Sequence, residues 1–135
     1  MVCVHCGHKT QVINSRPQRR TNQVWRRRLC IDCGALFSTT EAADYSALWA
    51  VKQPSGSLQP FSRDKLLLSL HRSCQHRSTA VADAASLADT IITKLRAQAT
   101  GGHLSPRQIA QTAQVALNRF DAASSVHYQA FHRNK

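Results

Sequence analysis

Two copies of one short pattern constrain this 135-residue chain more than any other feature in it. Cys3-Val4-His5-Cys6-Gly7 and Cys30-Ile31-Asp32-Cys33-Gly34 are both Cys-x2-Cys-Gly, with 23 residues between the second cysteine of one and the first of the other. Zinc prefers four soft or borderline ligands in a tetrahedron, and two such turns supply two thiolates each. The glycine after each pair relieves the tight turn in which backbone N–H groups approach the sulfurs. The intervening segment is polar and too small for a core, since burial alone rarely stabilises a unit below about 40–50 residues. Metal binding is therefore expected to supply most of its folding free energy, on the order of 10 kcal/mol or more. Two unrelated redox pairs are the competing reading, and the joint recurrence of spacing and glycine argues against it. Cys3, Cys6, Cys30 and Cys33 would leave no open coordination position, so the site reads as structural and not catalytic. His5 and His8 lie close by as spare ligands or, more ordinarily, as solvated side chains. The fifth cysteine, Cys74, falls on a helical apolar stripe and reads as core.

Charge narrows the partner. The chain carries 18 Lys+Arg against 7 Asp+Glu, a formal +11, which predicts attraction to polyanions. Residues 1–30 hold Lys9, Arg16, Arg19, Arg20, Arg26, Arg27 and Arg28 and no acid. Arginine predominates over lysine there, which favours phosphate forks and base edges over diffuse membrane attraction. No run approaches the roughly 18 apolar residues of a membrane span, and the N-terminus lacks the pattern of a signal peptide. The reading is a cytoplasmic, reducing setting, where paired cysteines hold metal more naturally than they form disulfides.

The chain divides into a ribbon over residues 1–44 and a mostly helical domain over 45–135. The first part contains strand-like segments at Thr10–Ile13, Asn22–Arg28 and Ala35–Thr39. In a ribbon, the residues between the knuckles form a hairpin with arginines at its tip and along one strand. Alternation in Arg26-Arg27-Arg28 sends side chains to both faces, so some would meet phosphates while another reaches a base edge. Trp25 can stack on a base or cover the hairpin's apolar side, the second being the more ordinary role. A strand at Leu48–Lys52, a turn at Pro54-Ser55-Gly56-Ser57 and a return strand at Leu58–Phe61 follow. From Ser62 onward the pattern is helical. One helix carries Leu66, Leu67, Leu70 and Cys74. A second, over Thr79–Ala99, places Val81, Ala85, Ala88, Ile91, Ile92 and Leu95 on one stripe. Ser105-Pro106 with Gln108 opens a third through a capping box, with Ile109, Ala113, Ala116, Leu117 and Phe120 inward. A last helix is expected over Ser124–His132.

Taken together, several of these segments resemble the NrdR family, the bacterial zinc-ribbon and ATP-cone repressors of ribonucleotide reductase genes. The resemblance rests on both knuckles, Val12-Ile13-Asn14-Ser15-Arg16-Pro17, Arg26-Arg27-Arg28 before Cys30, and Phe37-Ser38-Thr39-Thr40-Glu41. It continues less specifically through Val51-Lys52, Pro60-Phe61, Asp64-Lys65-Leu66, Arg72-x-Cys74 and Ser105-Pro106 to the closing amphipathic segment. It implies an α+β protein: a small zinc ribbon for double-stranded DNA, followed by a mostly helical ATP-cone-like domain with a short β-hairpin. It also implies a homo-oligomer on paired DNA half-sites at the bacterial nucleoid, with ATP or dATP in the cone setting the assembly. Carried over by position, Val51, Lys52 and Lys65 line the nucleotide site, and Arg16, Arg19, Arg20 and Arg26–Arg28 serve the DNA. The chain departs from the family pattern at Gln53-Pro54-Ser55-Gly56, where a basic-acidic-Gly turn is usual. It departs again at Gln59, and at Ser125, His127 and His132, where Tyr, Arg and Tyr are usual. These departures put the nucleotide site in question.

The residues also allow a zinc-ribbon adaptor in an RNA, ribosome or polymerase assembly, with a nucleotide-blind docking domain. Specific binding well above random DNA separates the repressor from the adaptor. No enzyme is expected, since carboxylates are few and scattered and no nucleophile–base pair is visible.

Overall fold

The computed structural model describes residues 1–132, so the last three residues of the expected 45–135 domain lie outside it. The chain separates into two units, Met1–Ala43 and Asp44–Lys135. Mixed sheets and helices make the molecule α+β, with its cysteine cluster in the first unit and its helices in the second.

The first unit is an antiparallel sheet of β1 (Thr10–Gln18), β2 (Gln23–Cys30) and β3 (Leu36–Ala42), in that order. The strands run longer than the short apolar segments suggest, because their polar and arginine-rich ends pair as well. The β1–β2 turn closes through Asn22, whose φ of 54° is left-handed, a conformation asparagine tolerates better than most residues. A bulge at Ile13 shifts the register, so that Val12 faces Arg28 while Asn14 faces Arg27. The shift places Val12 and Asn14, two residues apart, on opposite faces of the sheet.

The second unit is a five-helix body edged by a small sheet. It contains α1 (Tyr45–Leu48), β4 (Ala50–Lys52), β5 (Leu58–Pro60), α2 (Arg63–Cys74), α3 (Ala80–Leu95), β6 (His103–Leu104), α4 (Pro106–Phe120) and α5 (Ala122–Phe131). The expected hairpin is present as β4–β5, but β6 adds a third strand parallel to β4. A two-residue strand has no period to read, which is why pattern alone misses it. Gly102, at φ 78°, makes this possible: a Cβ there would lie 2.9 Å from the Leu48 carbonyl oxygen. The Ala50 N–H donates to the Gly102 carbonyl at 2.9 Å, joining the two segments.

The core is continuous from Trp49, Val51 and Phe61 through Leu66, Leu70 and Cys74 to Ile91, Leu95, Leu104, Leu117 and Tyr128. Cys74 is fully buried in it. Ser62 caps α2 by accepting from the Lys65 N–H at 3.2 Å. The expected capping box of α4 is formed: the Gln108 N–H donates to Ser105 Oγ at 3.2 Å, and the Ser105 N–H to Gln108 Oε1 at 2.7 Å.

Three details of the longer helices differ from the pattern reading, and Leu48, expected in the first hairpin strand, instead ends α1, so that β4 begins at Ala50. The buried stripe of α3 is Ala84, Leu87, Ala88, Ile91, Ile92 and Leu95, whereas Val81 is exposed and Ala85 only half-buried. The helix starts at Ala80, which is itself buried, and Val81 beside it faces outward. Phe120 is exposed at the end of α4, with the Arg77 guanidinium 4.7 Å from its ring centroid. Finally, α5 begins at Ala122 and not Ser124, because Asp121 caps it by accepting from the Ser124 N–H at 2.8 Å.

Candidate metal centre and nucleic-acid interface

Each knuckle folds the same way. The Gly7 N–H donates to the Cys3 carbonyl at 3.0 Å and the Gly34 N–H to the Cys30 carbonyl at 3.1 Å, with φ of 76° and 71° at the two glycines. Backbone N–H groups also point at sulfur, from His5 to Cys3 Sγ at 3.4 Å and from Cys33 to Cys30 Sγ at 3.5 Å. The four sulfurs lie within 4.8 Å of one another, with Cys3–Cys33 at 3.7 Å and Cys6–Cys30 at 3.5 Å. Sulfurs about 2.3 Å from a central zinc occupy a tetrahedron of edge about 3.8 Å, so these spacings fit zinc closely. They are far longer than the roughly 2.05 Å of a disulfide.

The site's electrostatics point the same way. Hydrogen bonds from the backbone of His5 and Cys6 outweigh burial at Cys3 and bring its thiol down to about 6. At Cys6 the backbone bond from His8 also lowers the pKa, but burial and the three neighbouring sulfurs override it and push the thiol to about 12. Four thiols this close ionise together only around a cation. His8 Nδ1 is 3.2 Å from Asp32 Oδ2, with both side chains exposed, and this pair lies within 4.8 Å of the Cys6 sulfur.

The sheet built on this centre has two unlike faces. Cross-strand partners share a face, so one face carries Val12, Arg28 and Phe37, then Ser15, Arg26 and Thr39, then Val24 and Glu41. On it, Arg26 Nη2 is 3.1 Å from Glu41 Oε2, and Arg28 Nε donates to Thr39 Oγ1 at 3.2 Å. The other face carries Leu29 and Leu36, then Asn14, Arg27 and Ser38, then Arg16, Trp25 and Thr40. Arg16 sits over Trp25, 6.0 Å from the ring centroid. Trp25 is half-buried and Arg27 exposed. Arg19 and Arg20 lie in the β1–β2 turn.

In the second unit, Val51 and Lys65 line a cavity of about 250 Å³ together with Phe61, Ile109, Tyr128 and His132. Lys52, one residue along β4, points the other way, into an adjoining cavity of about 1120 Å³ with His103 and Arg107. The two share Gln53, Pro106, Ala110 and His132. The result is an apolar slot opening onto a cationic rim. Tyr128 is buried, and burial raises its phenol to about 12. His132 stacks on Tyr128 at 4.2 Å between centroids and bonds Ser69 Oγ at 2.6 Å. Ser125 is buried against Gln114, and His127 packs edge-on to His76. His103 and Arg107 escaped the sequence reading because only the unforeseen strand β6 brings them beside Lys52.

Among the described residues, no helix is long and apolar enough to cross a membrane. A family model described as the N-terminal domain of transcriptional repressor NrdR-like proteins matches residues 1–41. Full-length similarity extends further. A transcriptional repressor NrdR of Symbiobacterium thermophilum is 32% identical over 133 residues, 98% of this chain and 87% of the relative. That of Oceanobacillus iheyensis is 34% identical over 134 residues, covering 98% and 84% respectively. That of Methylocella silvestris is 32% identical over 135 residues, covering 99% and 76%.

Proposed function

Since the chain belongs to the NrdR family of transcriptional repressors, we propose that it represses ribonucleotide reductase genes by binding their promoter DNA through a zinc-dependent ribbon. The single observation that carries the zinc requirement is the four-sulfur cluster, whose spacing fits a tetrahedral ion. Zinc here is structural: held by Cys3, Cys6, Cys30 and Cys33, it ties the end of β2 to the segments that lead into β1 and β3. That tie fixes how the sheet and turn that carry Arg16, Arg19, Arg20, Arg26, Arg27 and Arg28, the candidates for DNA contact, are presented. A sheet held this way loses little conformational entropy on docking.

The second unit is proposed as the control element. Its apolar slot at Val51 and Lys65 would take the base and ribose of ATP or dATP, and the rim at Lys52, His103 and Arg107 would face the phosphates. The cavity's combination of aromatic walls and convergent cations supports this reading. Nucleotide occupancy would then bias the homo-oligomer, and paired half-sites follow because symmetric assemblies read symmetric DNA. The site of action is the cytoplasm, at the nucleoid.

The test is a comparison of duplexes. Fragments from upstream of the host's ribonucleotide reductase genes and scrambled controls are titrated with zinc-loaded protein at one fixed salt. The reading expects the promoter fragment to bind about 10³-fold or more tightly than the control. Equal, strongly salt-dependent binding of both would replace the repressor with a sequence-tolerant nucleic-acid adaptor.

A further inference from the structure

We infer that the ribbon meets DNA with one face only, that of Arg16, Trp25 and Arg27, and that Arg26 and Arg28 are internal braces of the opposite face. The inference rests on the DNA-binding reading above and sorts its arginines. Three independent observations carry it.

Exposure alternates along β3 from Leu36 to Thr40, and on β2 the exposed residue is Arg27, with Trp25 and Leu29 on its own face half-buried. Arg26 and Arg28 are half-buried alongside Phe37 and Thr39, whereas Arg27, Leu36, Ser38 and Thr40 are exposed. The faces also differ in charge. The first unit contains two acids, Asp32 and Glu41. Glu41 lies on the Arg26 face and is paired with it, while Asp32 is in the knuckle beside His8. Among the described residues the Arg27 face therefore presents cations with no carboxylate to repel a phosphate. Third, the side chains are committed differently. Arg26 is held by Glu41 and its Nε is buried without a hydrogen-bond partner, so that guanidinium is spent within the sheet. Arg28 is tied to Thr39. Arg16 instead has its guanidinium carbon 6.0 Å from the centroid of the Trp25 ring, on the face that carries no carboxylate. A cation stacked on an aromatic is pre-oriented at little entropic cost and keeps its donors for a partner.

The occupant is a nucleic-acid duplex. Arg16 and Arg27 stand about two residues apart along the ladder, roughly 7 Å, with Asn14, Ser38 and Thr40 between and beside them as neutral donors. Such a mixture of guanidinium groups and short polar side chains is what phosphate and base-edge contacts require. Trp25 sits at the centre of this face, so docking would cover it.

The experiment uses the full-length zinc-loaded protein and a random-sequence 40-bp duplex. Variants Arg16→Gln, Arg27→Gln, Arg26→Gln and Arg28→Gln are titrated across a salt series, each checked for one zinc per chain. Loss of Arg16 or Arg27 is expected to weaken binding and lower the slope of log K against log salt by about one unit each. Arg26→Gln and Arg28→Gln are expected to keep the wild-type slope. Equal losses from all four, or losses confined to Arg26 and Arg28, would overturn the assignment of faces. A wild-type protein with no affinity for duplex DNA would overturn both this inference and the reading beneath it. Should a brace variant lose zinc, Trp25 still decides the matter: in a Trp49→Phe background, duplex DNA is expected to shield its fluorescence from acrylamide. Unchanged quenching would place the DNA on the other face.

Discussion

Cys30 is 1% exposed, and its N–H is already tied to the Ala35 carbonyl at 2.9 Å. Serine at this position keeps the knuckle's backbone bonds and removes one thiolate. Cys30→Ser is therefore expected to bring zinc content below one per chain and to abolish DNA binding while leaving far-UV helicity largely intact. Retention of both zinc and binding would contradict the four-thiolate site. At this scale the sequence was highly legible: the spacing and glycine that identify Cys3, Cys6, Cys30 and Cys33 are themselves the chemistry of the turn. The arginines were legible only in part. Alternation predicted two faces, but the Arg26–Glu41 pair and the Arg16–Trp25 stack depend on strand register, set between β2 and β3 by an unbroken ladder and between β1 and β2 by the bulge at Ile13.

Among elements, the helices of the second unit owe their stability to a shared apolar seam and to well-formed caps. Leu70, fully buried between α2 and its neighbours, should cost about 2–5 kcal/mol on truncation to Ala. Denaturant unfolding followed by circular dichroism would show this, and zinc stoichiometry should not change. Asp121 supplies a pH-dependent contribution. Hydrogen bonds from the Ser124 hydroxyl and N–H, with help from His76, hold its carboxyl at about 2 in place of the usual 3.8. The folded state thus favours the charged form. Its stabilising effect is fully present above about pH 4 and fades as pH falls towards 2. Asp121→Asn should remove that part of the acid limb in a plot of Tm against pH. An unchanged limb would mean the cap contributes nothing. This cap lay outside the pattern reading because the break between α4 and α5 is a single residue, with no Gly or Pro to mark it. Strand β6 was invisible for a similar reason: its two residues pair through the contact that Gly102 permits, far from β4 in sequence.

As a whole, the molecule joins a unit organised around a four-cysteine cluster to one that folds around a hydrocarbon core. Family membership, the α+β fold class and the clustering of four cysteines could be anticipated from one-dimensional patterns, whereas the cavities at Val51, Lys52 and Lys65 arise only when distant segments converge. If nucleotide governs assembly, light scattering of the zinc-loaded protein should give different masses with ATP, with dATP and with neither. Identical masses, with no heat of binding by calorimetry, would make the second unit a fixed docking module. Beneath both stands the claim that zinc builds the DNA-reading sheet. The most direct measurement is a chelator titration that follows zinc content, duplex binding by fluorescence anisotropy and helical circular dichroism in the same samples. The account predicts that DNA affinity disappears in step with one zinc per chain while the helical signal persists. Undiminished, sequence-specific binding by the metal-free protein would contradict it.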